Sequence, residues 1–592
     1  MRAAAALAIL SLAVGAQRIL AAAAPAAPPA GAGGEWRMPA GDDAATRFSR
    51  LQQIDAANAP HLRPLWTFST GVLGGHEGQP LVVDDTMYVV TPWPNVLYAF
   101  DLTRPGYPLK WKYRPDVNAD AIGESCCDAV NRGAVFADGK IIYNLLDGHT
   151  VAVDAATGRR IWKTKIADVA DGETTTMAPF VVRDRVLVGA SGGEFGIYGW
   201  LKALDLHTGR IVWTAHNLGP DAGMLVRPGI FHPPYVSGTE LGARSWAHGT
   251  WKHGGAPVWG WISYDPKLDL IYYGTGNAGP YDADERAGDD RWTSSVLARR
   301  PEDGALVWAY QFTPHDSWDY DATGAMILAD LTIAGRRVDA LVHFDKNGFA
   351  YTLDRATGRV LVAKPFAHVT WATSIDLADG RPVVDPAMQT GVAEGNVKGI
   401  CPSLEGGVSP SSPAAYSPRT HLFYTSTNNL CMDYAASRVS YLKGTPYIGV
   451  TSPYMAGPGG NLGAFIAWNG ATGRIAWKDP ERYPSWSGAL ATAGNVVFYG
   501  TLDGWFKAVD ATSGKLLYRF KVGSGVVGNP IAYRGPDGRQ YVAVYAGIGG
   551  DWALLAGDTR SDDPTDVRAP ADFIKDIASR TSQGGIVWIF GL

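Results

Sequence analysis

Three carboxylates crowd the stretch Thr313–Asp321, TPHDSWDYD: Asp316, Asp319 and Asp321, beside Trp318 and Tyr320. On an extended strand Asp319 and Asp321, two positions apart, face the same side. Carboxylates converging there repel each other unless a cation or a shared proton neutralises them. With oxygen ligands the cation is a hard one. A solvated acidic loop is the plainer alternative. Two further phrases place polar side chains in glycine-rich turns directly after apolar strands: Glu194 in SGGEFGIYG (191–199) and Asn277 in YYGTGNAGP (272–280). Glycine lets backbone and ligand approach closely, although an Asn in such a turn is commonly turn chemistry alone.

The four cysteines fall into an adjacent pair, Cys126-Cys127, and a second pair, Cys401 and Cys431. Adjacent Cα atoms lie about 3.8 Å apart, less than the roughly 4.4–6.8 Å that a disulfide usually spans. A bond between them is strained, and strain is kept chiefly where geometry serves a site. An even cysteine count in an exported chain favours disulfides over metal thiolates. No C-x-x-C-H phrase occurs, so the chain carries no covalent c-type haem.

A repeating frame has to position these residues. Ala-x-Asp, a Thr/Gly turn, a basic residue and an apolar strand ending in an aromatic recur in VAVDAATGRRIW (151–162), KALDLHTGRIVW (202–213), KAVDATSGKLLY (507–518) and, with Asn469 in the Asp position, IAWNGATGRIAW (466–477). The strand-end position is occupied by Trp66, Trp111, Trp162, Trp213, Trp308, Val362, Trp477 and Tyr518. The shorter intervals, roughly 40–55 residues, match the unit length of known propeller repeats. The longer ones, 213–308 and 362–477, must carry insertions, which collect on the functional face. Trp66 has no repeat turn before it, so its strand is expected to complete a blade supplied by the C-terminus. The expectation is an all-β, eight-bladed β-propeller, its ring closed by N- and C-terminal strands with no long free edge.

Composition agrees: 71 Gly, 38 Pro and 21 Trp in 592 residues suit a large all-β body. A net charge of -5 gives no electrostatic support for nucleic-acid binding. Met1-Arg2, an apolar run from Ala3 to Ala16 and small residues up to Gly34 form a secretory signal over 1–24, with cleavage between 24 and 34. The run is too short to span a bilayer. Residues 35–592 are then one periplasmic propeller domain with no integral membrane span, and a homodimer is the candidate assembly.

With GHEGQPLVV (75–83), CCDAVNRG (126–133), SGGEFG (191–196), WGWISYDP (259–266), YYGTGN (272–277) and ATAGNVVFYGTLDGW (491–505), the chain resembles the pyrroloquinoline-quinone (PQQ) dependent alcohol dehydrogenases of the methanol/ethanol family, from about Asp43 onward. The resemblance implies an eight-bladed propeller with PQQ held between the Cys126-Cys127 disulfide and Trp259. Glu194, Asn277 and Asp319 match the metal ligands, and Asp319 also matches the catalytic base. Glu77, Arg132, Thr176 and Ser191, with Gly192 and Gly193, match positions that bind the quinone's polar edge, where a bidentate Arg suits a carboxylate. Trp486 matches an aromatic near the ring. Lys346, in FDKNGF, stands where many members have Arg, and it can polarise the quinone oxygen as part of the catalytic set. Pro257 replaces a frequent Thr, and Ala-Gly-Pro-Tyr follows Asn277 in place of Pro-x-Pro-Trp. Asp321 matches the lanthanide-type members; an added carboxylate favours a larger or trivalent hard ion, with Ca2+ as the alternative. The implied activity is oxidation of a primary alcohol, with electrons passing to a soluble cytochrome c. The alternatives are a calcium enzyme for larger alcohols and a non-catalytic envelope scaffold.

Overall fold

A computed structural model describes residues 34–550 and 571–592. The export signal expected over 1–24 lies outside the described residues. The chain is an all-β propeller, built as a succession of meanders whose strands pair antiparallel in chain order. The first runs Leu81–Val83, Thr86–Val90, Leu97–Asp101 and Leu109–Tyr113. Others begin at Ala134, Phe180, Ile262, Ile327, Ala415 and Leu490. The last joins Ile531–Arg534, Gln540–Ala546 and Ile586–Gly591 to Arg63–Ser69 from the other end of the chain, with Trp66 opposite Ile589. Each of the eight strand-end positions read from the repeat lies in the outermost strand of a different meander.

The repeat acquires its physical meaning between sheets. Asp154 Oδ1 accepts from the amide and the hydroxyl of Thr157, at 2.8 and 2.7 Å, which tightens the turn. The same bonds recur at Asp205/Thr208 and Asp354/Thr357. Gly158 closes that turn at φ +73, in the left-handed region that glycine enters without penalty. A Cβ there would stand 2.7 Å from the Trp111 indole of the preceding sheet. Trp111 Nε1 donates to the Ala155 carbonyl of the same turn at 3.2 Å. Trp162, Trp213, Trp308 and Trp477 donate in the same way to Leu206, Pro301, Arg355 and Ala511. The tryptophan ending one repeat therefore docks on the turn of the next.

An N-terminal arm crosses the inner strands. Its backbone bonds to Val82, Phe136, Tyr264, Leu328, Tyr416, Ala491 and Arg534, each in the innermost strand of a different meander. Arg47, fully buried, donates to the carbonyls of Pro39, Ala489 and Pro530 at 2.6–2.7 Å.

In an antiparallel meander the entry to the innermost strand and the turn between the second and third strands lie at one end. Glu77, Arg132, Thr176, Trp259, Asp319 and Trp486 precede innermost strands; Glu194, Asn277 and Lys346 follow second strands. The topology thus gathers them on one face. The insertions add a short helix, Leu241–Arg244, and, in 362–477, a hairpin of Ala372–Ile375 with Pro382–Val384. A further small sheet there contains Asn396–Ile400 and Leu430–Ala436. The disulfide Cys401–Cys431 staples that sheet.

Candidate active site

Asp319 and Asp321 do converge, but not on a strand. The segment between Leu306–Gln311 and Ile327–Ile333 is a loop, and it turns at Asp319 with φ +64. The extended geometry expected from the two-residue spacing is corrected accordingly: a left-handed residue brings the two carboxylates together. Lys346 Nζ stands between them, 2.8 Å from Asp319 Oδ2 and 3.1 Å from Asp321 Oδ2. Asp321 Oδ1 accepts the Asn277 amide at 2.8 Å, which locks the Asn277 turn to the acidic loop.

This set fits a hard cation. Asn277 Oδ1 and Asp319 Oδ1 are buried oxygens without a hydrogen-bond partner, a costly arrangement unless something else is bound there. Lys346 bridges Asp319 and Asp321, and Glu194 adds a further negative charge acting on Asp319. Gly193 and Gly276 leave the space: a Cβ on the first would collide with Asn277 Oδ1, and on the second with Asp321 Oδ1. The Pro257 ring lies against both glycines and offers no hydroxyl. Burial pushes the Asp319 carboxyl well above its ordinary range; Lys346 opposes this, while Asp321 and Glu194 reinforce it. Burial disfavours the Lys346 charge, but Asp319 and Asp321 hold the ammonium well above its usual range.

A second group forms around Arg132. Its guanidinium bridges Glu77 at 2.8 Å and the Thr176 hydroxyl at 2.6 Å, and Thr176 in turn bonds Ser191 Oγ at 2.7 Å. The guanidinium carbon lies 4.6 Å from the Trp259 ring centroid, a stacking contact. Arg132 Nε is buried without a partner, a donor free for an anionic ligand. Cys126 and Cys127 are joined to each other, and the following Asp128 accepts the amides of Gly75 and Gly550, placing the pair beside the Glu77 loop. Gly192, at φ +124, and Gly193 form the turn carrying Glu194. Trp486 Nε1 donates to Asn428 Oδ1 at 3.0 Å. Asn428 also holds the carbonyls of Glu405 and Gly406, and Gly406 packs on Lys346. A planar polyanion with carboxylates suits this mixture of donors, aromatic faces and a disulfide.

Several neighbours had no role assigned from the sequence. Tyr281, in the segment after Asn277, is buried beside Asp319, and burial together with Asp319, Glu194 and Asp321 raises its phenol well above the usual range. Asn428 and the fully buried Arg286 have no spacing that marks them; only the tertiary contacts do.

Comparison with known proteins gives the same direction. Residues 36–369 and 462–542 match the family model described as PQQ glucose/ethanol/alcohol dehydrogenase, beta-propeller domain. The chain is 47% identical, over 94% of its length and 92% of the relative's, to the lanthanide-dependent methanol dehydrogenase of Methylacidiphilum fumariolicum. It is 40% identical to methanol dehydrogenase [cytochrome c] subunit 1 of Methylobacterium organophilum, over 94% and 91% of the two chains. A europium-containing methanol dehydrogenase structure superposes with a TM-score of 0.92 at 47% identity, covering 94% of this chain and 98% of that one. The chain belongs to the family of PQQ-dependent alcohol dehydrogenases built on a β-propeller.

Proposed function

We propose that this protein oxidises a primary alcohol such as methanol or ethanol to the aldehyde, using PQQ and a lanthanide ion held by Glu194, Asn277, Asp319 and Asp321. The observation that carries this reading is the pair of partnerless buried oxygens, Asn277 Oδ1 and Asp319 Oδ1, in an acidic site with Lys346 alongside. When bound, the quinone supplies a two-electron acceptor and the ion a Lewis acid. Asp319 takes the hydroxyl proton of the alcohol as general base. Lys346 places positive charge beside the carboxylates, where it would polarise a carbonyl of the bound quinone. Arg132, Thr176 and Ser191 orient the cofactor's polar edge, while Trp259 and the Cys126-Cys127 pair form the faces of its slot, with Trp486 near the ring.

Residues 35–592 act in this reading as one domain, the eight meanders being eight blades of a ring closed by the pairing of Arg63–Ser69 with Ile586–Gly591. Electrons leave to a soluble cytochrome c, a reading supported by the name of the cytochrome c-linked relative. No helix among the described residues is long and apolar enough to cross a membrane, and the apolar N-terminus supports export to the periplasm.

Reconstitution of apoprotein with PQQ and either lanthanum or calcium tests the metal assignment. Lanthanum is expected to support the higher dye-linked alcohol oxidation; calcium matching or exceeding it contradicts the role given to Asp321.

A further inference from the structure

We infer that Asp316 and Arg286 are positioning residues that hold the base Asp319 in its reactive orientation. The inference rests on the reading of Asp319 as the base. Asp316 is 2% exposed. Its oxygens are spent on the loop itself. Oδ1 accepts the Trp318 amide at 3.0 Å, and Oδ2 accepts the Tyr320 amide at 3.0 Å and the Ser294 hydroxyl at 2.9 Å. The two amides flank Asp319, so one carboxylate brackets the residue that turns at φ +64. A non-glycine residue in this region persists where its surroundings over-determine it, and Asp316 supplies that determination.

Arg286 extends the brace to the partner segment. It is fully buried and spreads its fork over three groups: Nε donates to the Pro280 carbonyl at 2.5 Å, Nη2 to the Asp316 carbonyl at 2.7 Å, and Nη1 to the Asp290 carboxylate. Pro280 closes the segment that begins at Asn277, and Asp316 opens the turn that ends at Asp319. One guanidinium thus sets the spacing between a proposed metal ligand and the base. His315 approaches the same Asp290 from the loop side, its Nδ1 3.4 Å away. None of these side chains reaches Asp319 directly; they act through backbone.

Misplacement of a reacting group by about 1 Å costs on the order of 100-fold in rate. Asp316→Asn keeps the shape but replaces one acceptor by a donor, so one of the two flanking amides loses its bond. In the holoenzyme loaded with PQQ and lanthanum, kcat is expected to fall roughly 10- to 100-fold, with KM within about threefold of wild type and the cofactor and metal content per chain unchanged. Ser294→Ala removes one bond to Oδ2 and leaves both amides, so its kcat falls about threefold, in line with a single lost hydrogen bond. It carries the test alone if Asp316→Asn does not fold. The proposal is overturned if kcat is unchanged in the variant that folds, or if every loss tracks loss of bound PQQ and metal. Failure of the wild-type holoenzyme to oxidise alcohol would instead overturn the function on which the proposal rests.

Discussion

At the scale of single residues, charge count decides the site. Lys346 is shared between Asp319 and Asp321 while Glu194 adds its charge beside Asp319, and the oxygens left without hydrogen-bond partners on Asn277 and Asp319 point to where a cation goes. Asp321 contributes in two ways: it salt-bridges Lys346 through Oδ2 and accepts the Asn277 amide through Oδ1. Removing its charge lowers the site's preference for a trivalent ion over a divalent one. Asp321→Asn is expected to weaken lanthanum binding at least tenfold while calcium binding changes less, as read by metal titration of the PQQ-loaded protein. Equal losses for both ions would assign Asp321 to loop structure alone.

At the scale of the element, the turn-and-tryptophan unit carries the fold. Gly358 at φ +74 lies under the Trp308 indole, where a Cβ has no room. Gly358→Val combines a left-handed β-branched residue with overpacking and is expected to cost about 2–4 kcal/mol, seen as a lower melting temperature with unchanged KM. Loss of substrate affinity without loss of stability would contradict the docking role. Much of this unit was legible in the chain, because Asp, Thr, Gly and Trp each have a fixed local task. What stayed hidden was the partner: the Asp and Trp of one phrase serve different sheets, and no local spacing reveals that Trp111 meets Ala155. The candidate site was marked chiefly by the family resemblance. Alone, Glu194 and Asn277 read as turn residues and the acids as a solvated loop, and only the adjacent cysteines are unusual by themselves. The loop conformation at Asp319 was not legible, because any strand-like spacing of two acids reads as extended until the bonds from Asp316 are seen. Arg286 bonds Pro280 and Asp290 nearby, but its reach to the Asp316 carbonyl thirty positions on leaves no pattern.

At the scale of the whole molecule, the N-terminal arm ties the inner strands together. Arg47 has no acid partner among the described residues; its buried charge is met by three carbonyls from separate parts of the chain. Arg47→Ala would leave those acceptors unpaired at a cost of about 3 kcal/mol. It should lower the melting temperature and speed unfolding while leaving kcat per bound PQQ unchanged. A variant as stable as wild type would show that the arm merely lies on the sheets. The same face-gathering topology brings residues hundreds of positions apart, from Glu77 to Trp486, to one face.

The most direct measurement is the visible spectrum of the protein loaded with PQQ and lanthanum, followed as one equivalent of methanol or ethanol is added without an electron acceptor. The wild-type protein should convert its bound cofactor from the oxidised to the reduced spectrum, whereas Asp319→Ala, with cofactor and metal still bound, should do so at least about 100-fold more slowly. An unchanged wild-type spectrum, or an Asp319→Ala variant that keeps pace with it, would contradict the assignment of this site as an alcohol-oxidising centre with Asp319 as its base.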